Sequence, residues 1–203
     1  MTKRMTPSVA KMSEGQIDKA VATYRAMLCK HRSELCSDAA QQVLGQPDYV
    51  AEQVGVLRKR VEAVSNMIIR HVKVNRNRTP EEALNATGRW QYVTDSVVKT
   101  MPRGKGKKAT VYFFKEGRNI CDSELENRYK QHGLKPADPY ELAAVNEADP
   151  VFADEHPNGT HWKDENGKWC YTAFDRWSGE RSVGVRQSGS DWDDDWWFAG
   201  VRK

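Results

Sequence analysis

An α+β fold is predicted, helical in its N-terminal part and mixed α/β beyond it, ending in Trp-rich antiparallel strands. Apolar residues recur at three- and four-residue spacing before residue 70, and short alternating or aromatic runs bounded by turn residues replace them afterwards. The 203 residues also carry 7 Trp, 7 Tyr and 5 Phe, enough large side chains to fill a core. That length suits one or two domains. The apolar runs are only a few residues long, as at Val111–Phe114, and with a mean hydropathy of -0.80 they exclude a membrane span. The aromatic content excludes a chain that is disordered throughout.

Residues 1–12 are polar and unpatterned and read as a flexible leader. Ser13 and Gln16 form a capping box, and Ile17, Val21, Tyr24 and Leu28 then mark one face of a helix reaching about Leu35. A short second helix spans Ser37 to Gly45. After Pro47, the series Val50, Val54, Leu57, Val61, Val64 and Ile68 predicts a third helix of about twenty residues. Its stripe packs on the first helix or on a second copy of itself, making Val54, Leu57, Val61, Val64 and Ile68 the contacts of a homodimer. The helical region is therefore 13–70, and an α+β domain covers 71–203.

In that domain, alternation over His71–Asn75 suggests a strand. Thr79, Pro80 and Glu82 open a short helix closed by Gly88. Gln91–Thr94 reads as extended, and Ala109–Lys115 as a strand. Between them, Arg103–Lys108 has nothing apolar to bury and reads as a mobile basic loop. Ser123 starts a helix that Gly133 ends, and a short helix lies near Tyr140–Asn146. Asn166-Gly167 between aromatic runs is a hairpin signal. Strands at Arg181–Arg186 and Trp196–Val201 complete the chain, which has no internal repeat.

Charge is distributed unevenly. Net charge is +1 over 1–55, +10 over 56–118 and -7 over 119–203. The middle segment gathers Arg58, Lys59, Arg70, Lys73, Arg76, Arg78, Arg89, Arg103, Lys105, Lys107 and Lys108, a set suited to neutralising phosphates by counterion release. The alternative is that the acidic C-terminal part covers it. Near the end, Trp192, Asp193, Asp195 and Trp196 form an acidic, aromatic patch, read either as packed tryptophans beside a charged edge or as a contact for a basic partner. Glycine and glutamate are missing from the positions where a calcium loop starting at Asp191 needs them.

No complete catalytic motif is present. Gly104–Lys108 lacks the spacing and ending of a phosphate loop, and no cofactor is expected. Asp149, Asp154, Glu155, His156 and His161 offer carboxylates with imidazoles, so a metal-assisted hydrolase is the catalytic alternative, with Asp154, His156 and His161 as candidate ligands. Cys29, Cys36, Cys121 and Cys170 are too sparse for a disulfide framework. With no secretory pattern in the leader, a reducing cytoplasmic setting is expected.

Three stretches, Val74–Arg89, Leu134–Trp162 and Trp196–Arg202, together resemble a group of uncharacterised proteins from tailed bacteriophages, prophages and some bacteria. The resemblance covers most of residues 50–203 and brings no catalytic residues. It implies an accessory protein that binds nucleic acid or host machinery, inside the host cell if phage-encoded. The leading expectation is a non-catalytic binder of a macromolecule, with a structural or self-associating protein as the other non-catalytic reading.

Overall fold

A computed structural model describes residues 11–203, so the predicted leader lies outside the described residues apart from Lys11 and Met12. The chain divides into two compact units, one up to Ser65 and one from Asn66 onward.

The first unit is helical. Helix α1 (Glu14–His31) begins at the expected capping box: the Ser13 backbone N–H donates to Gln16 Oε1 at 2.8 Å, and the Gln16 N–H donates to Ser13 Oγ at 3.3 Å. A 3-10 turn at Arg32–Glu34 leads to α2 (Ser37–Leu44), and α3 follows at Tyr49–Val64. None of the three helices contains a buried residue. The stripe at Val54, Leu57, Val61 and Val64 faces outward, so it does not pack on α1. Helix α3 also stops short of the predicted end. Ile68 belongs instead to a strand whose residues alternate between core and solvent, and it is 1% exposed in the core of the second unit. Ile68 is therefore removed from the stripe.

The second unit is built on an eight-stranded mixed sheet. In chain order its elements are β1 (Met67–Lys73), α4 (Pro80–Asn85), β2 (Trp90–Val93), α5 (Asp95–Val98), β3 (Lys108–Lys115), α6 (Asp122–Gln131), β4 (Leu134–Pro136), α7 (Pro139–Ala148), α8 (Phe152–Glu155), β5 (Asn158–Lys163), β6 (Trp169–Trp177), β7 (Glu180–Gln187) and β8 (Trp197–Arg202). Strand order is β1-β3-β8-β5-β6-β7-β2, with β4 on β8. The β2/β7 and β5/β8 pairs are parallel and the rest antiparallel, so the Trp-rich strands are only partly in antiparallel company.

Local chemistry places these elements. Thr79 caps α4 through a box with Glu82, and Asp138 caps α7 through a box with Glu141, each with proline in the first turn. The β5/β6 hairpin turns at Asn166-Gly167, where Gly167 takes φ +74° and Asp164 Oδ1 accepts the Asn166 and Lys168 N–H groups. One core, including Ile68, Leu84, Phe113, Leu142, Val145 and Phe174, draws on α4, α5, α7 and α8. A second, with Phe114, Ile120, Leu125, Tyr129, Trp192 and Phe198, draws on α6. Among the described residues no helix is long and apolar enough to cross a membrane.

The segment Arg103–Lys108 is not the free loop its composition suggests. Gly104 N–H donates to Asp138 Oδ2 at 3.2 Å, Arg76 Nε donates to the Gly106 carbonyl at 3.2 Å, and Val74 N–H donates to the Lys107 carbonyl at 2.9 Å. Three anchors in four residues pin a strand of cations to the body of the unit.

Candidate functional site

The structure separates the predicted basic surface into two populations. Arg58 and Lys59 lie exposed on α3 of the helical unit. In the second unit, four of the five predicted arginines are buried or half-buried, and Arg103 stays exposed while bonded to the body of the unit. Arg70 is 9% exposed, with its guanidinium 4.4 Å above the Phe152 ring and Nε 3.8 Å from Asp149. Arg76 donates to both Asp138 oxygens at 2.6 and 2.7 Å and to Glu141 at 2.9 Å. Arg78 grips Glu147 with two bonds of 2.5 and 2.9 Å. Arg89 is 5% exposed and donates to the Asp175 and Pro150 carbonyls, and burial pushes its guanidinium pKa down. Arg103 donates to the Arg78 carbonyl and the Tyr140 hydroxyl and lies over the tyrosine ring.

These arginines staple the fold, because a planar guanidinium fork satisfies carboxylates and carbonyls where a chain must be held. The expectation that all eleven cations share one open patch is corrected accordingly. Lys73, Lys105, Lys107 and Lys108 remain exposed, with no ion pair among the described residues. Lys73 and Lys108 are direct partners in the β1/β3 register. Like charges placed opposite each other destabilise a strand pair, and an anion lying across them relieves the repulsion.

Lys105 leads from this edge into a cleft of about 970 Å³. Strand β5 pairs with β8 only at Asn158 and Gly159, and β4 takes the β8 edge beyond them, so the cleft lies where β4 and β5 part. The loop at Pro102–Lys105, helix α6, the start of α7 and Trp169 close around the gap. At its floor is His161, whose side chain is fully buried. Its Nδ1 lies 2.7 Å from Asp122 Oδ1, and its Nε2 faces Glu126 Oε1 at 3.3 Å without hydrogen-bond alignment. The ring stacks on Trp169, with centroids 4.5 Å apart at 14°. Asp122 Oδ1 also accepts the indole N–H of Trp192 at 3.0 Å.

The surroundings of all three groups favour their charged forms. Burial alone lowers the His161 pKa, but the two carboxylates outweigh it and the net shift is upward. Burial likewise raises Asp122, and bonds from His161, Ser188 and Trp192 reverse that to a net lowering. Glu126 is held down mainly by its contact with His161. Through these contacts Asp122 and Glu126 on α6 are tied to His161 on β5.

Around this floor the cleft is cationic. Lys105, Lys130, Lys135 and Lys163 all line it and are exposed. Asp138 and Glu141, which also line it, are occupied by Arg76. Lys163 Nζ lies 4.7 Å above the half-buried Trp169 ring. Exposed cations gathered along one cleft suit a polyanion.

The other predicted sites separate. Asp154 is bound by Arg181 at 2.8 and 3.0 Å, which holds its carboxyl below the ordinary range. His156 packs between Phe152 and Trp197, while His161 sits in the cleft. The three candidate metal ligands engage different partners, and no group of three or more His, Cys, Asp or Glu is placed to hold a metal among the described residues. Trp192, Asp193 and Trp196 line a separate groove of about 500 Å³ together with Tyr92, Tyr171 and Trp177, whereas Asp195 is exposed outside that lining.

The sequence reading missed Asp122 and Glu126, although their four-residue spacing on one helix was a visible sign of a shared face. It also missed Lys130, Lys135 and Lys163, which lie in the segment of net negative charge. No family model matches the chain, and neither a curated protein nor a solved structure does.

Proposed function

We propose that the protein is a non-catalytic, phage-type accessory protein that binds nucleic acid in the lysine-rimmed cleft, with the strand track Lys73, Lys107 and Lys108 extending the contact. The observation that carries this reading is the rim of Lys105, Lys130, Lys135 and Lys163 around the Trp169 face. Four cations that water faces release counterions when phosphates replace it, a contact that demands no particular sequence. The phage setting belongs to the same reading and rests on the three resembling stretches, while the cytoplasmic location rests on the sparse cysteines and the lack of a secretory pattern.

The test is a titration of labelled single-stranded and duplex DNA and RNA at several salt concentrations. Binding that weakens steeply with salt supports the proposal. No binding at low salt removes nucleic acid and moves the target to a host protein, with Trp192, Asp193 and Trp196 in the aromatic groove as its contact.

A further inference from the structure

We infer that the helical unit is the interface of a homodimer, in which two copies pair their α1 and α3 stripes into one helical bundle. The inference is independent of nucleic-acid binding, because it uses no residue of the cleft.

The helices cannot stand by themselves. Helices of 18 and 16 residues are marginal in water unless an apolar face is packed, and here none of their residues is buried. Across the unit the apolar faces lie open instead: Val21 is 62% exposed, Val54 59% and Val64 85%. Within the unit, α1 and α3 meet at the hydroxyls of Tyr24 and Tyr49, a polar contact that buries no stripe.

Spacing and charge select the occupant. Val50, Val54, Leu57, Val61 and Val64 alternate four and three residues apart, the a/d seam of a coiled coil, with valine at both a positions and at two of the three d positions, a β-branched pattern that suits a bundle of more than two helices. Ile17 to Leu28 on α1 repeats the same spacing. Residues 13–64 hold seven Lys and Arg against seven Asp and Glu, so two copies approach without net repulsion. The same neutrality lacks the basic excess that a membrane-lying helix uses. All nine seam residues of α1 and α3 are between 40% and 85% exposed, so the apolar area that a second copy covers on pairing is still open in the single chain.

The test is the mass of the full chain in solution, by light scattering and by sedimentation across a wide concentration range. The expected result is twice the 23.2 kDa chain mass, reverting to the single-chain mass in the double variant Val54→Glu, Val61→Glu. All seven tryptophans lie beyond residue 65, so unchanged tryptophan emission in the variant shows that the second unit is still folded. A single-chain mass at every concentration overturns the inference, as does a dimer that survives the double substitution.

Discussion

His161 ties β5 to α6 through contacts whose strength depends on charge. Its side chain is fully buried and its nitrogens face Asp122 and Glu126, so removing the imidazolium leaves Asp122 without its charge partner. Breaking a buried pair on one side costs about 3 kcal/mol or more, and His161→Gln is expected to lower unfolding stability by that order. The pH dependence follows from the shifts. His161 is raised in the folded state, so its stabilisation is complete below the unfolded value of about 6.5 and fades as pH rises through the higher folded value. Asp122 and Glu126 are lowered, so theirs is complete above their unfolded values of about 4 and fades as pH falls through the folded ones. Urea unfolding followed by tryptophan emission should show the largest gap between wild type and His161→Gln from about pH 5 to 6, shrinking on either side. A gap that stays constant across pH contradicts the charged cluster.

Between residue and fold, the Arg103–Lys108 segment shows that composition is a poor guide to mobility when an element elsewhere supplies the missing partners. Asp138 caps α7 and at the same time accepts from Gly104 and Arg76, and Arg76 in turn reaches the Gly106 carbonyl. The loop is thus held by the N-terminus of a helix more than thirty residues away in sequence. Arg76→Ala removes two of these links and leaves Asp138 and Glu141 crowded together without a cation. Limited trypsin digestion should then cleave after Lys105 and Lys107 at least ten times faster than in wild type, an opening cost of about 1.4 kcal/mol per tenfold. Cleavage at the wild-type rate means the remaining bonds alone hold the loop. The β8 edge works at the same scale: β5 pairs with it over only two residues and β4 takes over beyond them.

For the whole molecule, the formal charge of +4 is unevenly laid out, because several carboxylates and arginines cancel one another in pairs. Asp138, Glu141 and Glu147 are spent on Arg76 and Arg78, and Asp154 on Arg181. What faces solvent around the cleft is lysine. Under the proposed function, replacing Lys105 and Lys163 by alanine should reduce the slope of log affinity against log salt by about 2, roughly one for each phosphate that is no longer neutralised, and weaken all sequences alike. Unchanged slopes in that variant place the nucleic acid elsewhere on the protein. Dimerisation through the helical unit would put two such clefts on one particle, so the avidity of a long strand should exceed that of a short one.

Features with short-range causes were legible from the chain alone. The boxes at Ser13 and Thr79 and the turn at Asn166-Gly167 form where expected, because every partner they need lies within four residues along the chain. Spacing likewise revealed the amphipathic stripe of α3, but not where the helix gives way to β1, since Ile68 follows the pairing of β1 with β3 and not its own neighbours. The fate of the arginines was equally hidden. Arg76, Arg78 and Arg89 meet partners 62, 69 and 86 residues distant, and His161 meets Asp122 across 39. Helix caps and turns are settled by local hydrogen bonds, whereas burial of a charge is settled by which distant strand or helix arrives to neutralise it, and only the folded chain brings those groups together.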